Sequence, residues 1–337
     1  MGVLSYFELV AEPRRDALRP AALREKDSEG EEVVDIAGIL AWCGLPSLAL
    51  ALGGGWWLMR KALGPVAALT AAAERINEHN LGERLPRTGD GDELDRLTEV
   101  FNDMTERLSH SFQRIREFTL HASHELKTPL TVIHGELETA LQEEKLPPEQ
   151  RTRLESEMDE IQRLTKIVDG LTLLTKADAG QVELARELLP LDELVLEAFG
   201  DAQSLARPHE IEVRMTSCDK ITVRGDRHRL RQLLLNLTDN AVKYNIRKGI
   251  VTLGLSRAGD CAEIIITNTG KGIGPEILPR IFDPFFRGDS SHSGDVEGCG
   301  LGLSIGRWIA TAHGGSIQIT SVPNQLTTAR VRLPIAA

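Results

Sequence analysis

Apolar positions fall into three successive patterns of spacing along the chain. From Ile36 to Met59 no Asp, Glu, Lys or Arg interrupts the sequence, and a helix rising about 1.5 Å per residue covers the roughly 30 Å hydrocarbon core of a bilayer over that stretch. Trp56 and Trp57 stand at its end and Arg60-Lys61 follow, the aromatic and basic flank of a membrane exit. Gly53-Gly54-Gly55 lowers helix propensity and leaves a small-residue surface on which a second copy can pack. One transmembrane helix over 36–59 is expected, with 1–35 a short extracytoplasmic or truncated segment that holds no Cys or His for metal sensing.

After the span the period becomes heptad-like. Leu63, Val66, Leu69, Ala73 and Ile76 precede a polar connector, and Leu94, Leu97, Phe101, Met104 and Leu108 follow it. Pro65 is expected in the first turn of the first helix, where a missing N–H is tolerated. Two short helices bury little area alone, so the seam is expected to close against a second chain. The pattern continues through Phe112, Ile115, Phe118, Leu126, Leu130, Ile133, Leu137 and Leu141. A second helix is marked by Leu154, Met158, Ile161, Leu164, Val168, Leu171 and Leu174, with Pro147-Pro148 at the bend. Such an antiparallel pair is half of a four-helix bundle, which again predicts a homodimer.

From about residue 181 short β-branched or alternating runs take over. Ile211–Met215, Ile250–Leu255, Ala262–Thr267 and Ala329–Leu333 read as strands, and Leu230–Tyr244 and Leu301–His313 as helices. A mostly antiparallel sheet with helices on one face, an α+β two-layer domain, is expected. The whole is multidomain: a transmembrane helix (36–59), an all-α linker (60–112), a dimeric four-helix-bundle hairpin (113–180) and the α+β domain (181–337).

Composition narrows the function. With 39 Lys+Arg against 50 Asp+Glu the net charge is −11, and aromatics are only 4%, which argues against nucleic acid as a partner. Cys43, Cys218, Cys261 and Cys299 stand far apart, so neither a disulfide scaffold nor a zinc ribbon is expected.

Chemistry concentrates in two places. The first is His124-Glu125-Leu126-Lys127-Thr128-Pro129-Leu130, preceded by Ser123. His124, Lys127 and Thr128 share a helix face, and Pro129 strips a backbone hydrogen bond beneath it. A neutral imidazole is available near pH 7 as a nucleophile. The second place lacks a Walker loop but carries three clusters. Asn236, Asn240 and Lys243 share one face of a helix, with Tyr244 next. Asn268-Thr269-Gly270-Lys271-Gly272 leaves a strand. Gly298-Cys299-Gly300-Leu301-Gly302 opens a helix, whose N–H groups suit phosphate oxygens. Between the last two, Ile281–Arg287 precedes a polar segment, Gly288 to Glu297, with the composition of a lid. Amide oxygens suit magnesium and an ammonium suits phosphate.

The seven-residue box around His124 resembles the phosphoacceptor motif of bacterial transmembrane sensor histidine kinases. The stretch from the basic membrane exit through Glu93-Leu94 and Phe101-Asn102-Asp103-Met104 resembles a HAMP linker, and the three clusters together with Ile281–Arg287, in this order, resemble the ATP-binding domain shared with gyrase-type topoisomerases and heat-shock chaperone ATPases. The resemblance implies that His124 takes the γ-phosphoryl group of ATP and passes it to an aspartate of a response-regulator receiver domain. Glu125 would handle the imidazole proton and Thr128 would hold a water for dephosphorylating that partner. Asn236 and Asn240 would bind Mg2+, Lys243 a phosphate and Tyr244 the adenine. Gly270 and Gly272 would shape the base pocket, Arg287 would approach the γ-phosphate, and Gly298, Gly300 and Gly302 would form the lid hinge. The family usually has an aspartate where this chain has Asn268; a carbamoyl oxygen can also accept from the adenine amino group. Charges flanking the span leave its orientation open. ATP and the receiver are cytoplasmic, so the resemblance places 60–337 inside the bacterial cytoplasmic membrane. Two further classes fit the clusters: a catalytically weak signalling scaffold, and an ATPase of the gyrase or chaperone class.

Overall fold

The computed structural model describes residues 38, 40–74, 76, 81, 83–87, 93–142, 146–288 and 298–336. The chain forms two compact units, Met1–Ser109 and His110–Ala337.

In the first unit a π-helical turn, Leu40–Gly44, leads into helix α1, Leu45–Ala73. Among the described residues no helix is long and apolar enough to cross a membrane. The uncharged stretch expected as one helix is divided: its first residues lie outside the described ones, π-turns occupy Leu40–Gly44, and Pro46 falls in the opening turn of α1. Pro cannot donate to the ladder, so the α-helical pattern begins only there. One correction concerns Pro65. It lies well inside α1, not in a first turn.

Helix α2, Glu93–Leu141, starts in the first unit and ends in the second. Its opening turns are clipped to the connector by Asn102. The Asn102 carbamoyl oxygen accepts from the Leu85 N–H at 2.9 Å, and its amide nitrogen donates to the Leu85 carbonyl at 3.1 Å. Leu81 and Leu85 are buried, as are Asp95, Thr98 and Thr105. Leu97, Met104 and Leu108 stay exposed in this single chain, so the chain covers the polar side of the heptad and leaves the apolar side bare.

In the second unit α2 and α3, Pro148–Asp178, form the hairpin. Pro148 begins α3, where its missing N–H costs nothing, and Pro129 lies inside α2. The α+β layer follows, comprising β1 Glu187–Pro190, α4 Leu191–Ala206, β2 Glu212–Cys218, β3 Thr222–Gly225, α5 Arg227–Lys243, β4 Ile250–Ala258, β5 Cys261–Thr269, α6 Gly302–Ala312, β6 Ser316–Val322 and β7 Leu326–Pro334. The large sheet runs β2-β4-β5-β7-β6, and β1 pairs with β3 in a second, two-stranded sheet. Only β2 and β4 are parallel; the other neighbours in the large sheet are antiparallel. The core lies between one sheet face and α4, α5 and α6: Val251, Leu253, Leu255 and Ile264 meet Leu194, Leu233, Leu234 and Ile309, all at or below 1% exposure. The expected strands and both expected helices are present; α4, β1, β3 and β6 add to them.

Helix α5 is fixed at its start. The Asp226 carboxylate accepts from the Arg229 N–H at 3.0 Å and from the Ala185 N–H at 3.2 Å. Its own N–H donates to His313 Nε2 at 3.0 Å, while His313 Nδ1 meets the Ile309 carbonyl at 2.7 Å. One aspartate thus ties α5 to the hairpin exit and to the end of α6.

Candidate functional site

The box around His124 lies on α2 with His124, Glu125, Lys127 and Thr128 all exposed and Ser123 buried beneath them. The Thr128 hydroxyl donates a long hydrogen bond, 3.4 Å, to the His124 carbonyl. A bond of that length is weak and leaves the hydroxyl available. Lys127 reaches across the hairpin to Asp169 on α3 at 2.7 Å. This pair sets the level at which the two helices face each other.

The next residue on α3 carries the contact that matters most. Gly170 is buried, and a Cβ there would stand 3.0 Å from Leu301 Cδ1 and 3.3 Å from Ile305 Cδ1. A bare backbone at Gly170 therefore lets the start of α6 seat against the hairpin. Leu173, one turn on, belongs to the same core as Leu301 and Ile305. The last glycine box thus meets the hairpin beside the partner of Lys127, three residues from His124.

A cavity of about 1630 Å³ opens around this contact. Asn236, Asn240, Lys243, Tyr244, Asn268, Gly272, Arg287, Gly298, Gly300 and Gly302 all line it. Gly270 does not; it lies behind the wall, against the Tyr244 carbonyl. Asn236 donates to the Gly302 carbonyl at 3.1 Å, and both Asn236 and Asn240 flank the position a Gly302 Cβ would take, at 3.8 and 4.0 Å. The asparagine face of α5 and the first turn of α6 are therefore neighbours. Asn268 is 7% exposed and its amide nitrogen donates to the Thr269 carbonyl at 2.9 Å. That bond orients the carbamoyl group. A neutral side chain there also avoids burying a carboxylate.

Lys243 is already paired, to Asp239 one turn earlier at 2.6 Å. Any anion at Lys243 would compete with that carboxylate. Tyr244 is 53% exposed at the end of α5.

The rim of the cavity is cinched at Gly300. Its φ is +73°, and a Cβ would stand 2.8 Å from the Phe285 carbonyl carbon. Phe285 itself has φ +63°, and its N–H donates to the Gly300 carbonyl at 3.0 Å. A bulky residue in that conformation is strained and must be held by its surroundings. Arg280 stacks on the neighbouring Phe286 ring at 4.5 Å. Of the lid expected from Gly288 to Glu297, only Gly288 lies within the described residues.

Asn236 and Asn240 offer oxygen ligands beside a helix N-terminus, and the chamber is lined by both apolar and cationic groups. The residues present fit a magnesium nucleotide. Sequence reasoning missed Gly170, whose only local signal is a glycine in a helix, and Asp169.

Three family models match successive parts of the chain. The His Kinase A (phospho-acceptor) domain matches residues 114–180, the HAMP domain residues 57–110, and the histidine kinase-, DNA gyrase B- and HSP90-like ATPase residues 225–337. The sensor protein CutS of Streptomyces coelicolor is 33% identical over 298 residues, covering 88% of this chain and 71% of CutS. This chain belongs to the sensor histidine kinases. As a member it also resembles the sensor protein IrlS of Burkholderia pseudomallei, at 32% identity over 82% of this chain and 59% of IrlS. The sensor histidine kinase CusS of Escherichia coli is 32% identical over 78% of this chain and 55% of CusS. This histidine kinase therefore spans little more than half the length of several relatives it matches. Among solved structures, full-length ShkA in complex with AMPPNP aligns with a TM-score of 0.57 and 27% identity, over 66% of this chain and 46% of ShkA.

Proposed function

We propose that the chain transfers the γ-phosphoryl group of ATP to the imidazole of His124 and then to an aspartate of a response-regulator receiver domain. One observation carries the reading: Gly170 of the hairpin and Leu301–Ile305 of the nucleotide domain are in contact beside the Lys127–Asp169 pair. The acceptor and the nucleotide cavity therefore share one region of the hairpin.

The roles follow from placement and chemistry. The exposed His124 imidazole attacks phosphorus, and Glu125 takes or orients its proton. Asn236 and Asn240 would hold Mg2+, which neutralises phosphate charge when bound. Asn268 and Tyr244 receive the base, Gly272 leaves room for it with Gly270 behind, and Lys243 and Arg287 meet phosphates. Gly298, Gly300 and Gly302 would form the hinge over the phosphates. Thr128 positions a water for dephosphorylation of the receiver. Catalysis of this kind is largely positioning.

The same reading makes the chain a membrane-anchored homodimer with 60–337 cytoplasmic. Supporting the anchor are the match of the HAMP domain from residue 57, the uncharged sequence 36–59, and exposed Trp42, Leu48, Leu50, Leu52 and Leu58. Arg60 lies over the Trp56 ring at 4.8 Å, an interfacial pairing. Supporting the dimer are the bare apolar residues Leu97, Met104, Ile115, Phe118, Leu126 and Ile133 along α2.

The test is incubation of the full chain with γ-labelled ATP. Acid-labile label that vanishes in His124→Gln supports the kinase. No label at all indicates a scaffold, and ATP turnover that continues unchanged in His124→Gln indicates an ATPase.

A further inference from the structure

The cavity carries a charge opposite to that of the chain. The chain is −11, yet eight Lys or Arg and five Asp or Glu line the cavity. Three of those acids are already matched: Asp169 by Lys127, Glu160 by Arg163 and Asp239 by Lys243. Among the described residues Lys166 and Lys176 have no acidic partner, and both line the cavity from α3. Lys176 is half-buried.

Their position is informative. They stand on either side of Gly170, where α3 touches Leu301, and the residue after Leu301 is the Gly302 that Asn236 and Asn240 flank. Lys176 is half-buried and Lys166 exposed, so both ammonium groups stay open to an anion that enters the chamber. A lysine suits such an anion as a point charge on a flexible stem. The hairpin helix therefore presents two free cations to a chamber whose other wall has oxygen ligands and a helix N-terminus.

We propose that Lys166 and Lys176 are positioning residues for the nucleotide polyphosphate. With nucleotide bound, their ammonium groups face the β- and γ-phosphates, and the nucleotide thereby holds α3 against α6. The inference rests on the reading that this cavity binds ATP, and extends that site to residues outside the nucleotide domain.

The experiment is calorimetric titration of the full chain in detergent with AMPPNP, ADP and adenosine, comparing wild type with Lys166→Gln, Lys176→Gln and the double variant. A lost cation at about 4 Å in a solvated site is worth about 1 kcal/mol, or roughly fivefold in affinity. The double variant is expected to bind AMPPNP roughly twentyfold more weakly, ADP less affected and adenosine unchanged. Lys→Arg at either position restores binding, and a shallower salt dependence accompanies the loss. An AMPPNP affinity unchanged in the double variant overturns the proposal. So does an equal loss for adenosine, which marks general damage to the fold. Wild type that binds no AMPPNP overturns the nucleotide reading itself, and the proposal with it.

Discussion

Asp226 is the point where a single substitution should report on the architecture of the nucleotide domain. Its carboxylate caps α5 through the Arg229 N–H and holds the hairpin exit through the Ala185 N–H. Burial pushes the Asp226 carboxyl up, but hydrogen bonds from the Arg229, Ala185 and His228 backbones outweigh it and hold it below the usual aspartate range. Asp226→Ala loses a cap worth about 1 kcal/mol, and a second hydrogen bond to a charged acceptor worth about 1.5 kcal/mol. The total, about 2 to 3 kcal/mol, corresponds to a fall of roughly 4–10 °C in Tm for a domain of this size. Asp226→Asn keeps the cap but offers no second acceptor for Ala185 in the same pose, so it should lose about half as much. The sign with pH follows. A lowered folded value means the carboxylate contributes stability above the unfolded value near 3.8, and that contribution is lost as pH falls through the folded value. The gap between wild type and Asp226→Asn should therefore be full at pH 7 and close as the pH falls through the lowered folded value. Circular dichroism melts of the full chain measure it. An Asn variant as damaging as Ala, or a gap that widens on acidification, would refute the reasoning.

Other substitutions follow from the same geometry. Gly300→Ala forces a Cβ into the Phe285 carbonyl at a left-handed φ; it should raise KM for ATP severalfold in an autophosphorylation assay, and an unchanged KM counts against the cinch. Asn268→Leu removes the buried carbamoyl group and should weaken ATP binding by about tenfold or more, with ATP-over-GTP preference collapsing; retained preference means that another group reads the base. Asn102→Leu leaves the Leu85 N–H and carbonyl unpaired and should destabilise the linker by about 2 kcal/mol, seen as earlier proteolysis near residue 85. Asp169→Asn, by contrast, breaks an ion pair that is half exposed on both sides, so its cost in melting experiments should stay below about 1 kcal/mol.

The parts legible in the sequence are those whose signal is local. Helices α2 and α3 show heptad spacing over many turns, and β4, β5 and β7 are dense in β-branched residues. The motif residues of the cavity are grouped by short spacings, which is why ten of them could be gathered before any coordinates. β6 also has a plain period-two signal, Ile317 and Ile319 between Ser, Gln and Thr, yet lies outside the strands expected. β1 and β3 are each four residues long and defined by pairing with each other across α4 and β2, which leaves almost no local trace. The break at Leu40–Gly44 depends on backbone geometry that hydropathy does not encode. Gly170 reads locally as a penalty in a helix. Only the approach of Leu301 from more than a hundred residues away explains it.

In the proposed function His124 becomes the phosphoryl carrier. Mass spectrometry of the full chain after treatment with magnesium ATP, digested and kept alkaline throughout, locates the modification. A phosphoryl group is expected on the imidazole of the peptide carrying Ser123–Pro129. An unmodified imidazole, while a sensor kinase treated in parallel is modified, contradicts it.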